Sequence, residues 1–73
     1  MKNTSPLQWE PDFSIRVHTN GKETIISANK AGLQSLANHL LQLAEGEPGD
    51  HLHLDEHNSL EEHSTELIIE RID

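Results

Sequence analysis

The run Asp50-His51-Leu52-His53-Leu54-Asp55-Glu56-His57 holds the densest set of chemistry-bearing side chains in the sequence. Imidazole and carboxylate are ordinary zinc ligands. On an extended strand His51, His53 and Asp55 project from one face, at roughly 6–7 Å intervals. Ligands spaced along a flat strand do not converge on one ion unless the next loop folds back with His57 or His63. His51, His53, Asp55 and His57 are therefore the candidate ligands, and no resident metal or other cofactor is expected. The other chemistry open to the run is recognition. His51, His53 and Asp55, continued by Glu56, Glu61 and Glu62, form an acidic surface suited to gripping a basic protein.

Other reaction chemistry finds little support. The run is similar to the His-x-His-x-Asp-His motif of metallo-β-lactamase-type hydrolases, but Glu56 stands between Asp55 and His57. That motif also belongs to a far larger fold. There is no nucleophile elbow and no glycine-rich phosphate cradle. The chain has no cysteine, which removes thiol catalysis, disulfides and cysteine zinc sites. One thin layer of 73 residues has no depth for a pocket that would tune a catalytic carboxylate. The expectation is a protein that binds and does not catalyse.

Charge is divided along the chain. Residues 45–73 hold ten acids and one base, Arg71, while residues 1–44 are nearly balanced. A net charge of −8 repels nucleic acid and anionic membranes, and it speeds encounter with basic partners. No run approaches the ~18 apolar residues of a membrane span, and no signal peptide is expected. The cytoplasm is the expected compartment.

The elements that carry the acidic run follow from periodicity and turn chemistry. Residues 1–12 contain Pro6 and Pro11 and read as an arm, with Trp9 as an anchor on the core edge. Residues 13–73 make a single domain. Phe13 to His18 alternate apolar and polar, as a half-buried strand does. Asn20-Gly21 is a hairpin signal. As a two-residue loop it sets Val17 opposite Thr24 and Ile15 opposite Ile26, with Phe13, Ile15, Val17, Thr24, Ile26 and Ala28 on the core face.

A helix begins at the N-cap residue Asn29. Leu33, Leu36, Ala37, Leu40, Leu43 and Ala44 form an apolar stripe expected to pack on the sheet. Gly46 is expected at the left-handed C-terminal position. His51 to Asp55 alternate again, with Leu52 and Leu54 inward. Residues 56–65 form a polar loop in which Leu60 is an inward anchor. The last strand, Glu66 to Ile72, presents either Leu67 and Ile69 or Ile68 and Ile72 to the helix. The fold class is α+β, ordered ββαββ. The expected architecture is one four-stranded, mainly antiparallel sheet with the helix on one face. The open face would show Ile25 and two residues of the last strand, a surface on which a homodimer could form.

Several segments together resemble the immunity protein 32 family. They are Asn29-Lys30-Ala31-Gly32-Leu33, Leu40-Leu41-Gln42-Leu43-Ala44, Gly49-Asp50-His51-Leu52-His53-Leu54-Asp55, Leu60 and Glu66-Leu67-Ile68-Ile69. The resemblance covers residues 13–72, and Asn-x-x-Gly-Leu with His-x-His-Leu-Asp is its most telling pair. It implies a small α+β protein of a bacterial polymorphic toxin system that neutralises a co-produced toxin. It carries over no site residues. The acidic half fits such a task, because nuclease toxins are usually basic, their substrate being a polyanion. The expected partner is a cognate protein toxin, a basic nuclease among the candidates. The alternatives are a homodimeric structural or regulatory domain and, behind it, a His/Asp metal-binding protein.

Overall fold

Gly21 takes φ +66°, and the chain reverses there into its first hairpin. The computed structural model describes residues 9–73. The arm expected over residues 1–12 lies outside them except for its last four residues. Strand β1 (Ile15–Asn20) pairs antiparallel with β2 (Glu23–Ala28), with Asn20 opposite Glu23, Val17 opposite Ile26 and Ile15 opposite Ala28. The two loop residues are thus Gly21-Lys22, not Asn20-Gly21. Only Gly21 of this turn has positive φ. A loop with glycine first needs positive φ at that residue alone, whereas the expected type I′ turn needs it at both. The partner of each strand residue moves by two, so the faces keep their parity.

Ile15 and Val17 are completely buried, as their alternation requires. Ile26 was expected inward but is 41% exposed. The helix crosses nearer Ala28, which packs on the core while Ile26 does not. Ile25 is half-buried opposite His18.

Helix α1 (Lys30–Ala44) begins where expected, and Asn29 Oδ1 accepts the Gly32 N–H at 2.7 Å. The same oxygen accepts the Ser14 N–H at 3.0 Å, and Asn29 Nδ2 donates to the Asp12 carbonyl. One side chain thus ties the helix start to the start of β1. The face that packs is not the expected stripe. Gly32, Ser35, Leu36 and His39 are buried, while Leu33, Ala37, Leu40, Leu41 and Ala44 are exposed. The buried face lies about one residue, roughly 100°, around the helix from the leucines.

Small residues decide this rotation. A Cβ on Gly32 would fall against the Ser14 carbonyl oxygen and lie 2.9 Å from Ile15 Cγ1. Ser35 Oγ accepts the Glu10 N–H at 2.7 Å and donates to the Ala31 carbonyl. His39 meets Trp9 edge to face at 4.0 Å, and Trp9 stacks on Phe13. Trp9 is thus the core-edge anchor expected of it. The helix closes at Glu45, whose N–H reaches the carbonyls of Leu41 and Gln42. Gly46 does not take positive φ, whereas Gly49 does. A Cβ at Gly46 would instead run into the Asp50 carboxylate.

Strand β3 (His51–Leu54) pairs antiparallel with β4 (Leu67–Glu70), His53 opposite Ile68 and Leu54 opposite Leu67. Leu54 is buried and Leu67 packs on the core, which settles the facing of the last strand. Ile68 and Ile72 point outward, at 60% and 86% exposure. Leu60 is buried, as expected of an anchor.

The element order is ββαββ, but the single four-stranded sheet does not form. The described residues form two separate two-stranded sheets. Residues 61–65 run beside β1, where the Glu61 N–H donates to the Ile15 carbonyl at 2.8 Å and the Thr65 N–H to that of Val17 at 2.6 Å. The step from Glu61 to Thr65 thus matches the shorter step from Ile15 to Val17, and His63 takes φ +69° to absorb the excess. A regular ladder cannot run through that bulge. The open face expected to join Ile25 to the last strand is therefore divided between two sheets.

Candidate partner-binding face

Pairing of β3 with β4 builds one outward surface. Residues directly opposite in an antiparallel pair share a face. His51 lies opposite Glu70 and His53 opposite Ile68, and continuing the register sets Asp55 beside Glu66. His51, His53, Ile68, Glu66 and Glu70 are exposed and Asp55 is half-buried, while Leu52, Leu54 and Leu67 face inward. The parity expected of His51, His53 and Asp55 therefore holds. The surface is an isoleucine ringed by two histidines and three carboxylates.

His53 Nε2 hydrogen-bonds Glu66 Oε2 and lies 3.6 Å from Asp55 Oδ2. Ligand atoms of His53, Asp55 and Glu66 all lie within 4.8 Å of one another. Among the described residues this is the one trio that could hold a metal ion, and its mix of nitrogen and oxygen donors suits zinc. His51 and His57, both named as candidate ligands, are not part of it. Glu66, which is part of it, was not a candidate. The hairpin parity that sets it beside Asp55 was the available signal.

Asp55 has a local structural task as well. Its Oδ1 accepts the N–H groups of His57 and Asn58, at 2.9 and 3.1 Å. Its carbonyl accepts from Ser59 and Leu60. Asn58 closes the turn, donating to the His53 carbonyl and accepting the Asp55 N–H. The turn leads Leu60 back into the core. Beyond it Glu56 Oε1 accepts the His63 N–H at 2.7 Å. Glu56, His57 and Glu62 line an open hollow of about 310 Å³. Glu61 is half-buried, with its backbone on β1. Glu56 and Glu62 thus share a hollow next to the β3–β4 surface, and Glu61 lies between the two elements.

Among the described residues the carboxylates that lie beside a basic side chain do so with histidine: Asp55 and Glu66 with His53, and Glu56 with His57. Among the described residues no lysine or arginine pairs with a carboxylate. Arg16 donates to the Glu62 carbonyl and Arg71 to the Gly46 carbonyl. The field of residues 45–73 is left uncompensated.

A family model, immunity protein 32, matches residues 23–72. The chain belongs to the immunity protein 32 family. No curated protein and no solved structure matches it. The immunity protein 32 match takes in the capped helix start and the whole β3–β4 hairpin. Both most telling motifs of this immunity protein 32 chain now have structural reasons. Asn29 caps Gly32, and Gly32 is where the helix touches β1. His53 and Asp55 meet on the outward face, while Leu54 holds that face to the core. No helix among the described residues is long and apolar enough to cross a membrane.

Proposed function

We propose that the protein neutralises a cognate bacterial toxin by occluding it, without catalysis, in the cytoplasm. The observation that carries this reading is the β3–β4 face, where Ile68 is exposed at the centre of His51, His53, Asp55, Glu66 and Glu70. Interfaces concentrate affinity in a few desolvated apolar anchors, with polar rims around them. An isoleucine within a carboxylate ring fits a partner that offers an apolar hollow surrounded by lysine or arginine. Toxins that act on nucleic acid carry such basic surfaces, so a nuclease is the favoured target. Glu56, Glu61 and Glu62 extend the rim and steer the approach. Membership of an immunity family supports the same reading.

The test is binding to the toxin encoded beside the gene, followed across salt concentrations. Reversal of Glu56, Glu61 and Glu62 to lysine is expected to lower the association rate at least tenfold and flatten its salt dependence. Unchanged association and unchanged salt dependence would show that the acidic rim is not the docking surface.

A further inference from the structure

The helix leaves three of its five leucines uncovered. Leu33, Leu40 and Leu41 are 54%, 40% and 63% exposed, and Ala37 and Ala44 are exposed with them. Together they span roughly 100° of the helix circumference over about three turns. A single exposed leucine needs no explanation, but a contiguous apolar stripe marks a contact surface. The positions 33, 37, 40 and 44 repeat at alternating steps of four and three, as the seam of a paired helix does.

The charges along α1 specify the occupant. Lys30 stands at one end of the stripe and Glu45 just past the other, and no acid or base lies between them except the buried His39. In a parallel pair like charges would meet at both ends. In an antiparallel pair Lys30 lies within reach of the partner's Glu45 at each end, and the helix dipoles also oppose. The same arrangement seats large on small, Leu40 against the partner's Ala37 and Leu33 against the partner's Ala44. Close helix approach needs this alternation. The stripe is also a neutral strip on a chain of net charge −8, so two copies can meet there without bringing their acidic halves together.

The geometry points to a homodimer formed by the α1 stripes of two copies, packed antiparallel about a two-fold axis between Ala37 and Leu40. The pair is symmetric and closed, so it stops at two. The contact uses α1 and leaves the β3–β4 face free, and it does not depend on the toxin-binding reading.

Sedimentation equilibrium of the 73-residue chain, over roughly 10 µM to 1 mM, tests it on the Kd scale of a small interface. The expected result is a mass rising toward twice the 8.2 kDa of one chain. Leu41→Glu is expected to abolish the rise, with helical circular dichroism unchanged because the side chain is exposed. Lys30→Glu and Glu45→Lys are each expected to weaken association at least threefold, and the double variant to restore it. A wild-type chain that stays monomeric to 1 mM overturns the proposal. So does a dimer indifferent to Leu41→Glu, and so does a double swap that fails to rescue. A monomer that loses toxin binding through Leu41→Glu also overturns it, by giving the stripe to the toxin.

Discussion

Asn29 Oδ1 accepts the backbone N–H of Gly32 at 2.7 Å, and this contact sets both where the helix starts and how closely it lies on β1. The same oxygen takes the Ser14 N–H. Loss of this side chain therefore unties two elements. Asn29→Ala is expected to lower stability by about 1–2 kcal/mol in urea unfolding, the upper range for an N-cap. Asn29→Asp, which keeps the acceptor, is expected to lose less.

Gly32 brings two effects into opposition. Alanine is better than glycine in a helix by about 0.8–1 kcal/mol. Its methyl group, however, would press on the Ser14 carbonyl and on Ile15 Cγ1. Overpacking of this kind costs about 1–3 kcal/mol, so the contact outweighs the propensity. Gly32→Ala is expected to shift the urea midpoint downward. An upward shift would mean that the helix can lift off β1 freely.

The leucines of α1 and its neighbours divide into two groups. Leu36 and Leu60 are buried, and truncation to alanine is expected to cost about 2–5 kcal/mol. Leu41 is 63% exposed, and Leu41→Ala is expected to stay within about 0.5 kcal/mol in dilute solution. Thermal or urea unfolding of the three variants side by side checks the helix rotation directly.

Asp55 separates a structural role from a binding role. Asp55→Ala is expected to cost about 0.5–2 kcal/mol, because the N–H groups of His57 and Asn58 lose their acceptor. Asp55→Asn keeps an oxygen in place and removes the charge. It is expected to hold stability while slowing toxin association, which stopped-flow measurement at low salt would resolve.

Ile68 is expected to contribute to binding without contributing to the fold. At 60% exposure its replacement by aspartate is expected to leave the unfolding midpoint nearly unchanged. Loss of an anchor is worth about 2 kcal/mol or more, roughly a 30-fold rise in Kd for the toxin. Equal affinity of Ile68→Asp and wild type would remove the β3–β4 face from the interface.

Much of this arrangement could be read from the residues themselves. Alternation located β1 and β3, the Asn29 signal located the helix start, and Leu60 stood out as the apolar residue of a polar loop. The register of the first hairpin could not be read, because Asn20-Gly21 marks a turn but not which residue opens it. The helix face is hidden from the sequence for a physical reason. Counting apolar residues finds the stripe with most leucine, yet close packing here depends on Gly32 and Ser35, which carry little hydrophobicity. The acidic face was half legible. His51, His53 and Asp55 follow from one strand, but Glu66 and Ile68 join them only through pairing with a strand more than a dozen residues away.

The bonds between residues 61–65 and β1 join positions 46 to 48 apart in the sequence. During synthesis the first hairpin and the helix can form early, but the free edge of β1 waits for residues 61–65. Long-range closure of this kind comes late in folding. A truncated translation product would therefore lack both the β3–β4 face and the segment that seals β1. On the function proposed above, binding would begin only once residues 51–70 have been made and paired, after the first hairpin and the helix are in place.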